Sequence, residues 1–442
     1  MDSLSSTLAR AIVSSRAEDL NEATLVEARR ALVNYLGCAL GGAGHPAMDI
    51  ALRALGQFSG PKNAAVLGRR EETDMSLAAF LNGISSHVHD YDDTTPSNYI
   101  HPTSPVASAL FAYASVRPVS GRDFIHAFVL GFDTVTRIGD ATYPAHYKVG
   151  WHSTGSIGIF GAAVAIGRLL GLDEKGMLWA LGLAATQSSG IRDNFGSMAK
   201  AFHPGDAARG GLQAAFLARE GFTTGTTPLE GPRGFAAVTA GGQFDHTGFL
   251  DRLGTHFRFE GNTYKPYPCG IVIHPTIELC SSIHAEGVDP ARIADVECRV
   301  APLVRDLCDQ RPDSGLQGKF SIYHAAAIGL VRGRGGLDEF TDEAVADPEL
   351  SSMRGKVRAT PDPSIGEDAV KVIVRLDDGQ EIERFLEGSL GNLRCPLSDA
   401  QLAEKFLGQT QGIAGADIHA LLARCWRIDD EQDVGDLARS AR

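Results

Sequence analysis

A chain of 442 residues is too long for one simple hydrophobic core, so two domains are expected. A net charge of −13, with no Lys/Arg block and no basic stripe carrying aromatics, argues against nucleic-acid binding, and an apolar fraction of 43% argues against a disordered chain. The cysteines (Cys38, Cys269, Cys280, Cys298, Cys308, Cys395 and Cys425) are odd in number and never form a C-x-x-C pair, which speaks against a disulfide framework, a zinc ribbon or an iron–sulfur dehydratase and for a reduced cytoplasmic protein.

The first twenty residues lack a long apolar core and read as an amphipathic helix, not a signal peptide. Leu25, Ala28, Ala31, Leu32, Tyr35 and Leu36 then recur at helical spacing behind an Asn21–Thr24 cap. Further helices are expected at Met75–His89, Pro105–Val116, Gly121–Gly139, Gly155–Leu170, Glu174–Ser188 and Ala207–Glu220. The most apolar run, Ile157–Leu172, is interrupted by Arg168 and by glycines; it is too short to span a bilayer and reads as a buried helix, so no membrane partner is expected.

The pattern changes after Pro266. Asp295–Val300 alternates like a half-buried strand, and Val370–Leu376, Asp377-Asp378-Gly379 and Gln380–Leu386 read as a hairpin with a D-G turn. Helices at Pro275–Glu286 and His324–Val331 lie between them. Ser398–Gln401 is a capping box that restarts helix before Leu402 and Phe406, and Asp429–Arg442 reads as a short polar tail. The expected fold is mostly α: a large helical domain over 1–265, a smaller α+β lid over 266–394, and a C-terminal helical segment, 395–442, returning to the large domain.

Chemistry-bearing residues gather in five segments. His87-Val-His89-Asp90-Tyr-Asp92-Asp93-Thr94, followed by His101-Pro102, ends a helix; helical spacing would put Asp90, Asp93 and Thr94 on one face. The plain alternative is a solvated acidic helix end, and a metal site on His87, His89 and Asp90 is a second alternative. Gly150-Trp-His152-Ser-Thr-Gly155 brackets a histidine at a helix entrance, where free N–H groups can meet a carboxylate. Asn194–Arg209 reads as a mostly apolar loop carrying Lys200 and His203, with Lys200 a candidate to neutralise a carboxylate. In Tyr264–Cys269 the prolines fix the chain around Lys265. The fifth segment is Lys319-Phe-Ser-Ile-Tyr323-His324, at a helix start.

Taken together these segments resemble the MmgE/PrpD family, which includes 2-methylcitrate dehydratase, cis-aconitate decarboxylase and iminodisuccinate epimerase. The resemblance runs from the Leu32–Gly42 helix to Phe406. It implies a large helical domain with a smaller lid, a homodimer, and an active site between the domains. It also places Asp90, Thr94, His101, His152, Lys200 and Lys265 on the family's active-site positions. One departure stands out: members commonly read K-F-S-L-P-Y, and counting back from Gly333 puts His324 at the tyrosine and Tyr323 at the proline.

The implied chemistry is proton transfer at a carbon beside a carboxylate of a small polycarboxylic acid, with no cofactor and no metal. Lys200 and Lys265 would clamp carboxylates, and His101 and His152 would be the acid/base pair. Asp90 would orient a histidine or act as a base; Thr94 and His203 would bind substrate. His324 or Tyr323 would protonate a leaving hydroxyl or serve as an opposite-face base. The first expectation is a 2-methylcitrate dehydratase-like hydro-lyase. Decarboxylation of a cis-aconitate-like acid and epimerisation of an iminodiacid are alternatives on the same scaffold; a metal-dependent hydrolase and a non-catalytic acid-binding relative are the rivals outside it.

Overall fold

In the computed structural model, residues 3–413 and 416–442 are described. The chain opens with ten helices: α1 (Leu4–Ser14), α2 (Glu22–Gly42), α3 (Pro46–Leu55), α4 (Met75–His87), α5 (Thr103–Ala114), α6 (Gly121–Thr142), α7 (Ala145–Val149), α8 (Ser153–Leu169), α9 (Glu174–Gln187) and α10 (Met198–Arg219). A two-residue antiparallel pair, β1 (Ala64–Ala65) with β2 (Glu72–Thr73), interrupts them. Helix α8 is buried along Ser153–Gly167 and packs against α5, α6, α9 and α10. Small residues permit that approach: a Cβ on Gly131 of α6 would stand 2.7 Å from the Gly161 carbonyl of α8. A Cβ on Gly83 would stand 2.5 Å from Gly205 Cα, so a glycine pair sets how closely α4 and α10 lie.

The sequence expectation begins the α10 helix at Ala207. The helix starts nine residues earlier, at Met198, capped by the Ser197 side chain, and carries Pro204 inside it. Proline removes only one backbone donor, and packing of Gly205 on α4 holds the helix together across it. Lys200 and His203 therefore ride on a helix and not on a loop.

After Lys265 the architecture becomes mixed. Strands β3 (Ile293–Val300), β4 (Val357–Pro361), β5 (Ala369–Leu376) and β6 (Glu381–Glu387) form one sheet in the order β4-β3-β5-β6. The β5–β6 hairpin pairs antiparallel, and so does β3 with β5, whereas β4 joins β3 in parallel after a helical crossover. The sequence pattern had not shown β4, a short strand whose side chains are mostly exposed or half-buried. The His274–Ala285 and Ile322–Arg332 helices pack on each other and on this sheet.

Two large apolar cores result, with a smaller third around Met48, Phe80 and Ile84. One draws on residues from Leu8 to Tyr264 and again from Leu397 to Ala441; the other runs from Cys269 to Leu376. The Asp399–Gln409 helix returns to α2, and its Lys405 donates to Asn34 Oδ1 and to the Tyr91 carbonyl. The end of the chain corrects the expectation of a polar tail: Val434–Ser440 is a helix that buries Val434, Leu437 and Ala438 against α5. Its apolar residues sit three and four apart, a stripe too short to stand out among charged neighbours. All seven cysteines are free and six are buried, and among the described residues no helix is long and apolar enough to cross a membrane.

Candidate active site

The site grows out of the end of α4. After His87 the chain turns at Asp90, which takes a left-handed backbone (φ 51°), and then runs extended so that Thr94 pairs with Thr263. This corrects the helical-face expectation. Asp90 and Thr94 line one cavity, while Asp93 turns away to accept from Thr103 Oγ1 at 2.6 Å and Asn262 Nδ2 at 2.8 Å. Burial, with Asp92 close by, pushes the Asp93 carboxyl up to about 7.

Asp90 is the hub. Its Oδ1 accepts from Lys200 Nζ and from Lys265 Nζ, each at 2.9 Å. Burial alone would raise its carboxyl, but the two ammonium groups outweigh that and hold it well below the usual carboxylate range. The lysines differ in what they have left. Lys265 spends all three N–H groups, on Asp90 Oδ1, the Asp90 carbonyl and the Cys269 carbonyl. Lys200 spends two, on Asp90 Oδ1 and on His87 Nε2 at 2.7 Å. With three donors on an ammonium, Lys200 keeps one for a ligand. Burial lowers the Lys200 pKa, opposed by Asp90.

His101 stands between two carboxylates: Nδ1 lies 3.2 Å from Asp92 Oδ1 and Nε2 lies 3.6 Å from Asp90 Oδ1. Thr94 Oγ1 is 3.3 Å from the same Nδ1. Burial lowers the His101 pKa against the pull of Asp92, so the ring is neutral at rest. His152 caps the start of α8, and its backbone N–H donates to the Gly190 carbonyl. Its Nδ1 meets His203 Nδ1 at 2.8 Å, and burial keeps both rings neutral, His203 at about 4. His203 thus stands behind His152 and does not line the cavity, which corrects its assignment as a substrate ligand.

The cavity, ≈ 50 Å³, lies where the two cores meet. Asp90, Thr94, His101, His152, Lys200 and Lys265 are its polar lining; Ile271, Val272, Leu307, Cys308 and Phe320 supply an apolar wall. Tyr99, Lys265, Ile271 and Val272 are shared with an outer cleft of ≈ 380 Å³ that leads outward past Arg394. Lys319 ties the loops together by donating to the His89 and Pro268 carbonyls.

Six of the expected site residues therefore converge, and His324 and Tyr323 do not join them. His324 Nε2 donates to the Glu339 carbonyl at 2.7 Å, and its Nδ1 faces Arg354 at 3.3 Å. The Tyr323 hydroxyl donates to Asp309, with the Arg311 guanidinium stacked on its ring. Neither lines the cavity, a correction to the expectation that one of them supplies an acid there. The sequence reading also left out Asp92, and it weighed His87 only as a metal ligand. His87 Nδ1 bonds Asp92 Oδ2 at 2.8 Å across the turn at Asp90, a contact that spacing along a helix does not foretell.

His87, Asp90, Asp92 and His101 offer ligand atoms within 4.8 Å of one another. A metal does not fit them as they stand, because the Lys200 ammonium already bonds both His87 Nε2 and Asp90 Oδ1. His89 belongs to another neighbourhood, edge-on to His45.

Known proteins are similar to this chain over most of its length. Residues 6–247 match the MmgE/PrpD N-terminal domain and residues 267–428 the C-terminal domain. The chain is 26% identical over 419 residues to cis-aconitate decarboxylase of Aspergillus terreus, covering 88% of this chain and 85% of the relative. It is 24% identical over 454 residues to the Homo sapiens cis-aconitate decarboxylase, covering 99% and 94%. To 2-methylcitrate dehydratase of Cupriavidus necator it is 25% identical over 412 residues, covering 83% and 81%. The chain belongs to the MmgE/PrpD family.

Proposed function

We propose that this protein is a lyase that works without a cofactor, moving a proton at a carbon beside a carboxylate of a small polycarboxylic acid. The observation that carries this reading is the joint presence, on one small cavity, of a buried Lys200 with an unspent N–H and of His101 between Asp90 and Asp92. Two buried ammonium groups share one lining carboxylate, so the lining attracts an anion.

Lys200 clamps a substrate carboxylate. The arriving polyanion raises the proton affinity of the neighbouring imidazole, and protonated His101 is held by the two carboxylates beside it. We place decarboxylation of a cis-aconitate-like acid first. The C–CO₂⁻ bond breaks and CO₂ leaves toward the apolar wall, its electron pair forming a new C=C. The old C=C pair passes to the carbon beside a second carboxylate, where His101 Nε2 delivers a proton and later regains one from water. This path needs one proton carrier, an electrostatic clamp and a dry wall, and the likeness to relatives named cis-aconitate decarboxylase supports it.

Dehydration of a 2-methylcitrate-like hydroxy acid is the second reading. It is favoured by a second imidazole, His152, on the same lining and by the Cupriavidus relative. The free cysteines fit the cytoplasm as compartment, and a homodimer is the assembly this reading expects.

The test is proton NMR of EDTA-treated enzyme incubated with cis-aconitate, 2-methylcitrate, citrate and iminodisuccinate in turn. Itaconate with released CO₂ supports the first reading, and an unsaturated acid formed with loss of water supports the second. No turnover of any of the four would remove both.

A further inference from the structure

Two members of the cluster never reach the cavity. Asp92 and His87 are both fully buried, and neither is among the residues lining it. Asp92 nevertheless stands between two imidazoles: Oδ2 hydrogen-bonds His87 Nδ1 at 2.8 Å, and Oδ1, with no hydrogen-bond partner of its own, lies in charge contact 3.2 Å from His101 Nδ1. We infer that Asp92 and His87 are positioning residues: one buried carboxylate fixes the tautomers of two rings, and through them the direction of the proton carrier and of the carboxylate clamp.

A carboxylate accepts and does not donate, so His87 must carry its proton on the Nδ1 bonded to Asp92, and His101 favours its proton on Nδ1, which lies nearer to Asp92 (3.2 Å) than Nε2 does to Asp90 (3.6 Å). For His101 this leaves Nε2 directed to the cavity and Asp90, the atom that takes up or releases the proton in the reaction. For His87 it leaves a lone pair on Nε2, which accepts from Lys200 Nζ at 2.7 Å. Lys200 is then pinned by His87 and Asp90, and its third N–H is left for substrate. If His87 carried its proton on Nε2 instead, that hydrogen would oppose the ammonium and Lys200 would lose its anchor. The charged and titratable groups around the pair are Asp90, Asp93, Lys405, Cys38, His152, His203 and Lys265, with the Thr94 hydroxyl on His101 Nδ1 and Phe195 and Phe320 facing the Lys200 ammonium. None of these offers either Nδ1 a second carboxylate.

The kinetic arm of the test rests on the proton-transfer reading above; the spectroscopic arm does not. Asp92→Asn keeps the shape but presents one acceptor and one donor, so one of the two rings must take the other tautomer. In the Ser-His-Asp triad the same exchange behind a catalytic histidine lowers kcat about 10⁴-fold. Here Asp92→Asn is expected to lower kcat by at least about 10²-fold with KM held within about threefold. Because Asp92 supports the imidazolium, its loss should also move the alkaline limb of the kcat/KM profile about one pH unit toward acid. His87→Gln can still donate to Asp92 and accept from Lys200, so it should retain most activity, whereas His87→Leu should raise KM about tenfold or more as Lys200 loses its anchor.

The substrate-free measurement is ¹⁵N NMR of wild-type protein with histidine-selective labelling at pH 7.5. His87 and His101 are expected in the Nδ1–H form, and Asp92→Asn should convert one of them. An Nε2–H form of either ring in the wild type overturns the inference even if the enzyme turns over, and so does an Asp92→Asn variant with unchanged kcat and an unmoved limb. A wild type inactive on every acid would instead count against the proposed function and leave the tautomer result to decide this one.

Discussion

Around Asp90 and around His324 the chain buries a histidine, a cation and a carboxylate together, but the two clusters differ in what their atoms have left to do. His324 has both ring nitrogens occupied, by the Glu339 carbonyl and by Arg354. Arg354 also donates to the Val345 carbonyl, and the Glu339 carboxylate is met by Arg334 and by the Gly336 N–H. That network is closed: it fastens a turn to a helix. Around Asp90, by contrast, Lys200 keeps an N–H, His101 keeps Nε2 and Asp90 Oδ2 has no hydrogen-bond partner. Buried charge is common to both; unspent valence beside a cavity belongs to one. That difference, more than burial or residue type, is the ground on which the proposed function places ligand binding at the Asp90 cluster.

The comparison can be broken by substitution. The largest effect should come from His101→Asn, which removes the proton carrier: kcat/KM should fall by about 10³-fold or more with the fold retained, read from steady-state rates and circular dichroism. Lys265→Met should come next. It leaves Asp90 with one ammonium fewer, which should cost about 3–5 kcal/mol of stability by denaturant titration, along with activity.

Asp93→Asn sharpens the comparison inside the site. The folded pKa of Asp93, about 7, lies above its ordinary value of 3.8, so its contribution to stability is fully present below about pH 4 and is lost as pH rises through 7. The asparagine variant should therefore gain on wild type with rising pH, by about 4 kcal/mol at most near pH 8. Melting temperatures across pH 5 to 8 would show it, and a constant gap would count against a protonated Asp93. The smallest effect on rate should come from His324→Asn: kcat/KM within about threefold of wild type and a loss of about 1–3 kcal/mol of stability. A large loss of activity there would mean that the closed cluster belongs to the site after all.

Much of this was legible in the sequence because it rests on periodicity and on short motifs. Leu25–Leu36, the Ile157–Leu172 run and the Val370–Leu386 hairpin carry their period in their own residues, and α2, α8, β5 and β6 fall where it puts them. Asp90, His101, His152, Lys200 and Lys265 came from the family pattern, and the structure brings them together. What stayed hidden depends on backbone turns and on packing between distant segments. The left-handed Asp90 swings Asp92 under His87 and sends Asp93 the other way. The glycine pair on α4 and α10 carries the helix across Pro204 and converts an expected loop into the support for Lys200. His324 kept its place in the motif, but its ring is taken up by Glu339 and Arg354, contacts fixed only when the Pro348–Lys356 helix packs beside it.

The most direct test of the central claim is to run EDTA-treated enzyme on cis-aconitate in D₂O and locate the deuterium in the product by NMR. The account predicts one deuteron at the carbon beside a carboxylate, at a rate unchanged by chelation, with incorporation lost in His101→Asn while the acid still binds. Incorporation that persists in that variant, or a rate that collapses on chelation and returns with added metal, would contradict it.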